Sequence, residues 1–420
     1  VTHRVPLKIC RVLLLLASAC CTAKSRELHS RADVPAPSAA SEDLKLADRF
    51  AKDAAFRRHW LEESVVDRES GYARERLAHY NERDWGSLPV AAFKIRPVLP
   101  ADLGRSAPRV DSSWHSVASG ASPASSQALK QRGEELFARF PARVERALLT
   151  ALRDKEGPAR YGLWQTHDSV GGLVWVALAD GTYPALTCSS CHSSVDRAGR
   201  LRPGIPNHQL DLGRAKDDDR NAKTRYSTWG PGRVALAPDG SDDPVVIADV
   251  RATRLQRHLR RTADLRNSLP ALALEVEIDL VLAHARAVRP DRQDAFALAY
   301  YVWTLADGLA AQMPRRQPAP PAFARHCGPC HKAPSLAGDS LPVDFMQRSV
   351  SNPPGSARVA GRLRTPSLLG VSARHWLLYG GEAEGIEGLL DPRRIRGGHY
   401  MAGRLDDDER KAIADYLKAL

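Results

Sequence analysis

Residues 188–192 read CSSCH and residues 327–331 read CGPCH. This repeated word, Cys-x-x-Cys-His, constrains the chain more than any other feature, because the cysteines are used for little else. Of the seven, four lie in the two words, and the others, Cys10, Cys20 and Cys21, all fall near the start of the chain. Every cysteine beyond Cys21 belongs to a word.

Two thiols separated by two residues and followed at once by an imidazole form the pattern of covalent haem attachment. Each thiol makes a thioether to a porphyrin vinyl group, and the adjoining histidine becomes an axial iron ligand. Cys188, Cys191, Cys327 and Cys330 are thus candidate attachment residues for two haem c groups, with His192 and His331 as iron ligands. Three other chemistries use the same residue types. A zinc ion could take the four cysteines, but both histidines would be left over and two words far apart in the chain would have to converge. Cys327-Gly-Pro-Cys330 matches a thioredoxin-type dithiol. Such a site follows a buried strand, whereas PAFARHC reads as a short helix after a Pro-rich linker. A disulfide inside each word would be strained and would leave the histidine unexplained.

The residue opposite each histidine sets the iron chemistry. Met401 lies well past His331, just before the last helical pattern, and is the candidate ligand there. A thioether raises the reduction potential and suits electron transfer. His399 is the alternative ligand, and core gap-filling is the plain role for Met401. For the first word the candidate is His208, a short way past His192 in PGIPNHQLDLG. His/His ligation would lower the potential, and an ordinary loop histidine is the plainer reading. His258 and His284 read more simply as core or surface residues.

The start of the chain reads as an export signal: Arg4, Lys8 and Arg11 flank an apolar run, Val12–Ala17, too short to span a bilayer. Ala17-Ser18-Ala19-Cys20 fits ordinary cleavage and also resembles a lipoprotein box. The expected location is the periplasm, or the outer membrane or cell surface of a bacterium as a lipoprotein, with membrane attachment only through that anchor. The formal charge of +12 includes those three cations, and the remaining excess reads either as a plain solvated basic surface or as one that steers a small acidic electron-donor protein. No compact basic stripe interleaved with aromatics points to nucleic acid.

The expected organisation is a signal peptide (1–19), a disordered tether (20–41), a helical N-terminal extension (42–126), a first haem c domain (127–312), a Pro-rich linker (313–322) and a second haem c domain (323–420). Helical spacing marks 41–80, 127–153, 268–288, 292–309 and 406–420, the last opening with Asp406 and Glu409 in capping-box spacing. GGLVWVAL-ADGT-YPALT, leading into the first word, reads as a hairpin, and the Pro/Ser-rich 88–126 as loop. The expected fold class is mainly α: two cytochrome c-type haem domains, a helical N-terminal extension and a small β-hairpin. The Phe323 segment is expected to cross the last helix at Tyr416 and Leu417.

With these residues in place, the chain resembles the bacterial dihaem cytochrome c peroxidase family, including its MauG-type members, over roughly 186–420 and most closely after Pro320. The resemblance rests on the two words, His208, Met401 before LDDDERKAIADYLKAL, and LRTPSLLGVSARHWLLYGG (363–381). It implies electron entry from a small cytochrome c or cupredoxin at the His331 haem, peroxide reduction at the His192 haem, Trp229 between them, and Asp249 as a distal acid. A non-catalytic electron carrier with both irons six-coordinate is the alternative. Tyr379 stands where the family has a histidine, and Arg374-His375-Trp376 where it has a calcium-ligand segment, so calcium and the family's activation step do not carry over.

Overall fold

In the computed structural model, five strands form one antiparallel sheet: β1 (Lys94–Pro97), β2 (His115–Ser116), β3 (Arg143–Val144), β4 (Val174–Leu178) and β5 (Gly181–Leu186), in the order β2-β1-β4-β5-β3. The structure describes residues 39–82, 85–117, 122–220, 226, 228–235, 244–313, 317–342, 362–395 and 398–420. The expected signal segment, Cys20, most of the tether and linker residues 314–316 lie outside these.

Strand β4 shows why the sheet forms. Side chains alternate between faces along a strand, and here both faces are covered. Val174 and Val176 enter one core together with Ile95 and Ala185, whereas Trp175 enters a second core with Leu173 and Leu186. The strand therefore reads as a continuous apolar run rather than an alternating one.

The first core is closed by helices α1 (Ala39–Lys52), α2 (Ala54–Ser64), α3 (Gly71–Glu82) and α4 (Ser126–Arg139). The second gathers α5 (Leu148–Arg153), α6 (Gly157–Arg160), α7 (Cys188–His192) and α8 (Leu212–Arg220) beside the sheet. The long helices α9 (Leu269–Ala283) and α10 (Arg292–Thr304) return to the first core. Each starts on a side-chain cap: Ser268 accepts from Ala271 N–H and Asp291 from Gln293 N–H. Phe50 of α1 meets Phe296 of α10 with ring centroids 5.7 Å apart, and the Tyr300 hydroxyl donates to Asp43 at 2.8 Å. Residues 42–126 thus share a core with 269–301.

A third core follows α11 (Ala306–Ala310) and α12 (Pro321–His326) and packs against the C-terminal helix Asp407–Lys418. Phe323 and Tyr416 meet there edge to face at 4.8 Å, the expected crossing. The C-terminal helix opens with the expected capping box, Asp406 accepting from Glu409 N–H at 2.8 Å.

The mainly-α expectation of two cytochrome c-type domains is corrected. Helix accounts for 43 % and strand for 15 %, with a five-strand sheet and several two-stranded ladders. The expected hairpin exists as β4–β5, with Val176 opposite Tyr183, but it is an inner pair of a larger sheet. Its partners β1 and β2 come from the Pro/Ser-rich stretch read as loop. Strand β3 follows Pro141, which ends the helical run that sequence spacing extended to 153. Among the described residues no helix is long and apolar enough to cross a membrane.

Gly133 fixes how α4 meets α10. A β-carbon there would lie 2.0 Å from the Ala297 carbonyl oxygen, so the two backbones touch where no side chain fits. Alanine favours helix over glycine by about 1 kcal/mol, yet Gly133→Ala should destabilise the fold by about 1–3 kcal/mol through overpacking. Urea unfolding followed by circular dichroism checks the sign. An unchanged or raised midpoint would show that the helices do not meet here.

Candidate cofactor-attachment sites

Strand β5 delivers the chain into the first word. Thr187 and Ser190 both donate to the Gly172 carbonyl, at 2.8 and 3.1 Å, and Ser190 Oγ accepts from Thr187 N–H at 3.0 Å. Gly172 has φ +62°, a backbone that favours glycine, and a β-carbon would sit 3.0 Å from Ser190 N. Cys188 packs against the first core and Cys191 into the second.

The far end of α7 is held by the loop that follows it. Gly204 N–H donates to the His192 carbonyl at 2.7 Å and Asn207 N–H to the Cys191 carbonyl at 2.8 Å, satisfying carbonyls a helix end leaves open. His192 Nδ1 lies 2.8 Å from the Ala248 carbonyl oxygen. A carbonyl can only accept, so Nδ1 carries the proton and Nε2 is left as the free, basic nitrogen.

The second word is built differently and ends the same way. It continues α12, with Cys327 and Gly328 N–H donating to the Phe323 carbonyl and His331 N–H to that of Cys327. His331 Nδ1 lies 3.0 Å from the Leu336 carbonyl oxygen. The segment Thr365–Leu369 holds that carbonyl in place. Ser367 donates to Ser335 O at 2.6 Å, Thr365 to Asp339 O at 2.7 Å, and Leu368 N–H to Leu336 O at 3.3 Å.

Burial keeps the donor atoms neutral. It pushes the Cys188 and Cys191 thiols up to about 12 and that of Cys327 to about 11, the opposite of the lowered values reactive dithiols need. It lowers His192 and His331. All four cysteines of the words are free thiols, and among the described residues no three His, Cys, Asp or Glu side chains gather as a metal-ligand group. The two words therefore do not pool their sulfurs, as a shared four-cysteine zinc site would require.

Between the words lies a cationic interior. Arg261 donates to the carbonyls of Tyr379 (2.9 Å), Leu378 and Val246, and Arg364 to that of His258 at 3.3 Å. Arg364 N–H bonds the Arg261 carbonyl at 2.8 Å, joining the two positions. Among the described residues neither guanidinium has a carboxylate at ion-pair distance. Burial, with Arg374 adding and Tyr379 and Glu382 opposing, lowers Arg261 to about 10, and burial with Arg261 and Arg374 lowers Arg364 to about 9. Both remain cations at neutral pH, and both keep partly accessible surface. Unpaired interior cations are costly, and haem brings two carboxylates of its own. Paired thiols, an imidazole with Nδ1 on a main-chain carbonyl, and buried arginines with no carboxylate at ion-pair distance among the described residues together fit haem c.

The remaining sequence candidates fall elsewhere. Asp249 is a buried ion-pair centre: Arg251 reaches it at 2.6 Å and Arg374 at 3.2 Å, with 1 % of its side chain exposed. Arg374 and Arg251 together outweigh desolvation and hold its carboxyl below the usual range. These two ion pairs anchor the chain beside Ala248. Trp229 is internal to the second core, edge-on to Tyr226 at 5.4 Å. The His208 ring lies against His375 at 4.9 Å, and His375 against Trp376 at 4.6 Å. Met401 sits partly buried on the turn Tyr400–Arg404, and the ring near His331 is that of His399, with centroids 6.4 Å apart. A cleft of about 370 Å³ lined by Arg394, Tyr400 and Ala402 flanks that segment. Sequence reasoning missed Arg261 and Arg364; in an Arg-rich chain, only their clustering in RHLRR and RLRT could have marked them.

Comparison with protein-family models, curated proteins and solved structures gives no match.

Replacing Asp249 by Asn should cost about 3–5 kcal/mol at neutral pH, because two guanidiniums lose their buried counter-charge. A carboxyl with a depressed folded pKa stabilises above its unfolded value, about 4, and that contribution is lost as pH falls through the folded value. The gap between wild type and Asp249→Asn should therefore narrow below about pH 4. Equal gaps in denaturant unfolding at pH 7 and pH 3 would overturn the ion-pair role.

Proposed function

We propose that the protein is an exported dihaem c-type oxidoreductase, with electrons entering at the Cys327–His331 site and hydrogen peroxide reduced at the Cys188–His192 site. The observation that carries this reading is common to both words: two free thiols beside an imidazole whose Nδ1 is committed to a main-chain carbonyl. Haem c, when bound, supplies a one-electron iron couple and, where one coordination position is open, a site at which peroxide can be reduced.

The chain's own groups divide the work. Cys188, Cys191, Cys327 and Cys330 anchor, and His192 and His331 present Nε2. The Ala248 and Leu336 carbonyls orient the rings, the role outer acceptors play at metal sites. Arg261 and Arg364 are placed to receive carboxylates. Asp249, paired with Arg374 and Arg251, orders the loop carrying Ala248.

An asymmetry favours assigning different tasks to the two sites. His399 stands near His331, whereas among the described residues no aromatic or imidazole ring packs against that of His192. The first site is thus the one suited to an exogenous ligand. His208, stacked on His375, adjoins the loop pinned to Cys191. The resemblance to dihaem peroxidases and the short apolar run expected to act as an export signal support a donor outside the cytoplasm, a small acidic cytochrome c or cupredoxin.

Expression with a c-type maturation system should give a red protein whose mass exceeds the processed chain by two haems. Cys191→Ser and Cys327→Ser should each disturb one of the two, seen as altered covalent haem staining and absorbance per chain. Peroxide should be consumed with a reduced donor, and a high-spin signal should appear at the first haem after half-reduction. A colourless protein would end the haem assignment. Two haems without a high-spin signal or turnover would reduce the assignment to an electron carrier.

A further inference from the structure

We infer that His399, not Met401, is the second axial ligand of the haem at Cys327 and Cys330, so that this iron is held between two imidazoles. The inference rests on the haem assignment above and adds the ligand that decides its potential.

The spacing of the rings is the first argument. The centroids of His331 and His399 are 6.4 Å apart with planes at 68°. Imidazoles that touch directly are closer here, 4.9 Å for His208 and His375. Two imidazoles on opposite sides of one metal, each bonded at about 2 Å, place their centroids roughly 6 Å apart. The separation leaves room for one metal atom between the rings, a spacing at which edge-to-face rings in this chain, such as Phe56 and Trp60 at 6.3 Å, also meet directly.

Backbone conformation is the second, independent argument. His399 has φ 55° and ψ 47°, left-handed, directly after Gly398 at φ 63°. A side-chain-bearing residue pays about 1–2 kcal/mol to sit there, and such outliers persist where surroundings enforce them. Arg394 enforces this one, donating to the Gly398 carbonyl at 2.7 Å and the His399 carbonyl at 2.9 Å. The clamp acts on the two residues that set the direction of the His399 ring. Met401, two residues on, begins no such clamp and lies within a regular 3₁₀ turn.

A consequence concerns the donor. Imidazole in place of a thioether lowers the potential of the electron-entry haem, so the partner must be a stronger reductant than a His/Met site would need.

The test uses the ferric holoprotein after mass spectrometry has counted two haems. The far-red thioether-to-iron charge-transfer band should be absent, and paramagnetic resonance should show a low-spin bis-imidazole signal for the second haem. Met401→Leu should leave both spectra and the potential unchanged. His399→Met should raise that potential, and His399→Ala should give a high-spin signal that added imidazole reverses. If His399→Ala does not fold, the wild-type spectra and Met401→Leu still decide. A thioether band in wild type that Met401→Leu abolishes would overturn the inference while leaving the haem assignment intact. Fewer than two haems would overturn that assignment itself, and this ligand with it.

Discussion

The hydrogen bond from an imidazole Nδ1 to a main-chain carbonyl recurs at both words, and the neighbouring main chain holds those two carbonyls still. A histidine fixed this way cannot swap tautomers or turn about its Cβ–Cγ bond without breaking the contact, so Nε2 is aimed by the protein. At the first word the acceptor is Ala248, flanked by Ile247 N–H on Gly232 O at 2.9 Å and Val250 N–H on Gly204 O at 3.0 Å. At the second it is Leu336, tied by Ser367 and Leu368. Acceptors from separate parts of the chain are thus held by unrelated local devices to the same end.

The interior between these acceptors is organised by charge. Asp249 neutralises part of what Arg251 and Arg374 bring, but Arg261 and Arg364 keep their charge with only carbonyl partners among the described residues. Carbonyl dipoles offset part of the desolvation cost of a guanidinium, and a carboxylate offsets far more. A protein with no anion to receive would gain by replacing such arginines with apolar residues. Their burial beside carbonyls alone gives a physical reason to expect an anionic group beside them, and the geometry that makes them expensive alone makes them strong recognition elements when paired.

Much of this was legible from residues alone, and the failures have physical causes. The two words, the hairpin into Cys188, helices α9 and α10 and the capped last helix follow from local pattern, and each is present. The sheet was not legible, because a strand buried on both faces loses its alternation and because β1, β2 and β3 are short and lie beside prolines. The ion pairs around Asp249 were not legible either. A carboxylate between two arginines is a tertiary fact, and Arg374 is remote from Asp249 in the chain. Between His399 and Met401, spacing along the chain favours neither; the left-handed backbone and the Arg394 clamp distinguish them, and both require three dimensions.

The two words carry the same residue pattern on two scaffolds. In CSSCH the intervening Ser189 and Ser190 are buried and hydrogen-bonded, Ser189 to Ser193 and Ser190 to Gly172, so this word is part of the sheet's packing. In CGPCH, Pro329 is exposed and Gly328 lets the chain fold back on α12, where a β-carbon would lie 2.5 Å from the Ala324 carbonyl. The first word is therefore rigid through its interior residues and the second through the helix that precedes it. The carbonyl bond to Nδ1 is common to both words, so the two sites differ in what lies beyond the rings. There the structure does differ: an imidazole stands near His331, and among the described residues none packs against His192.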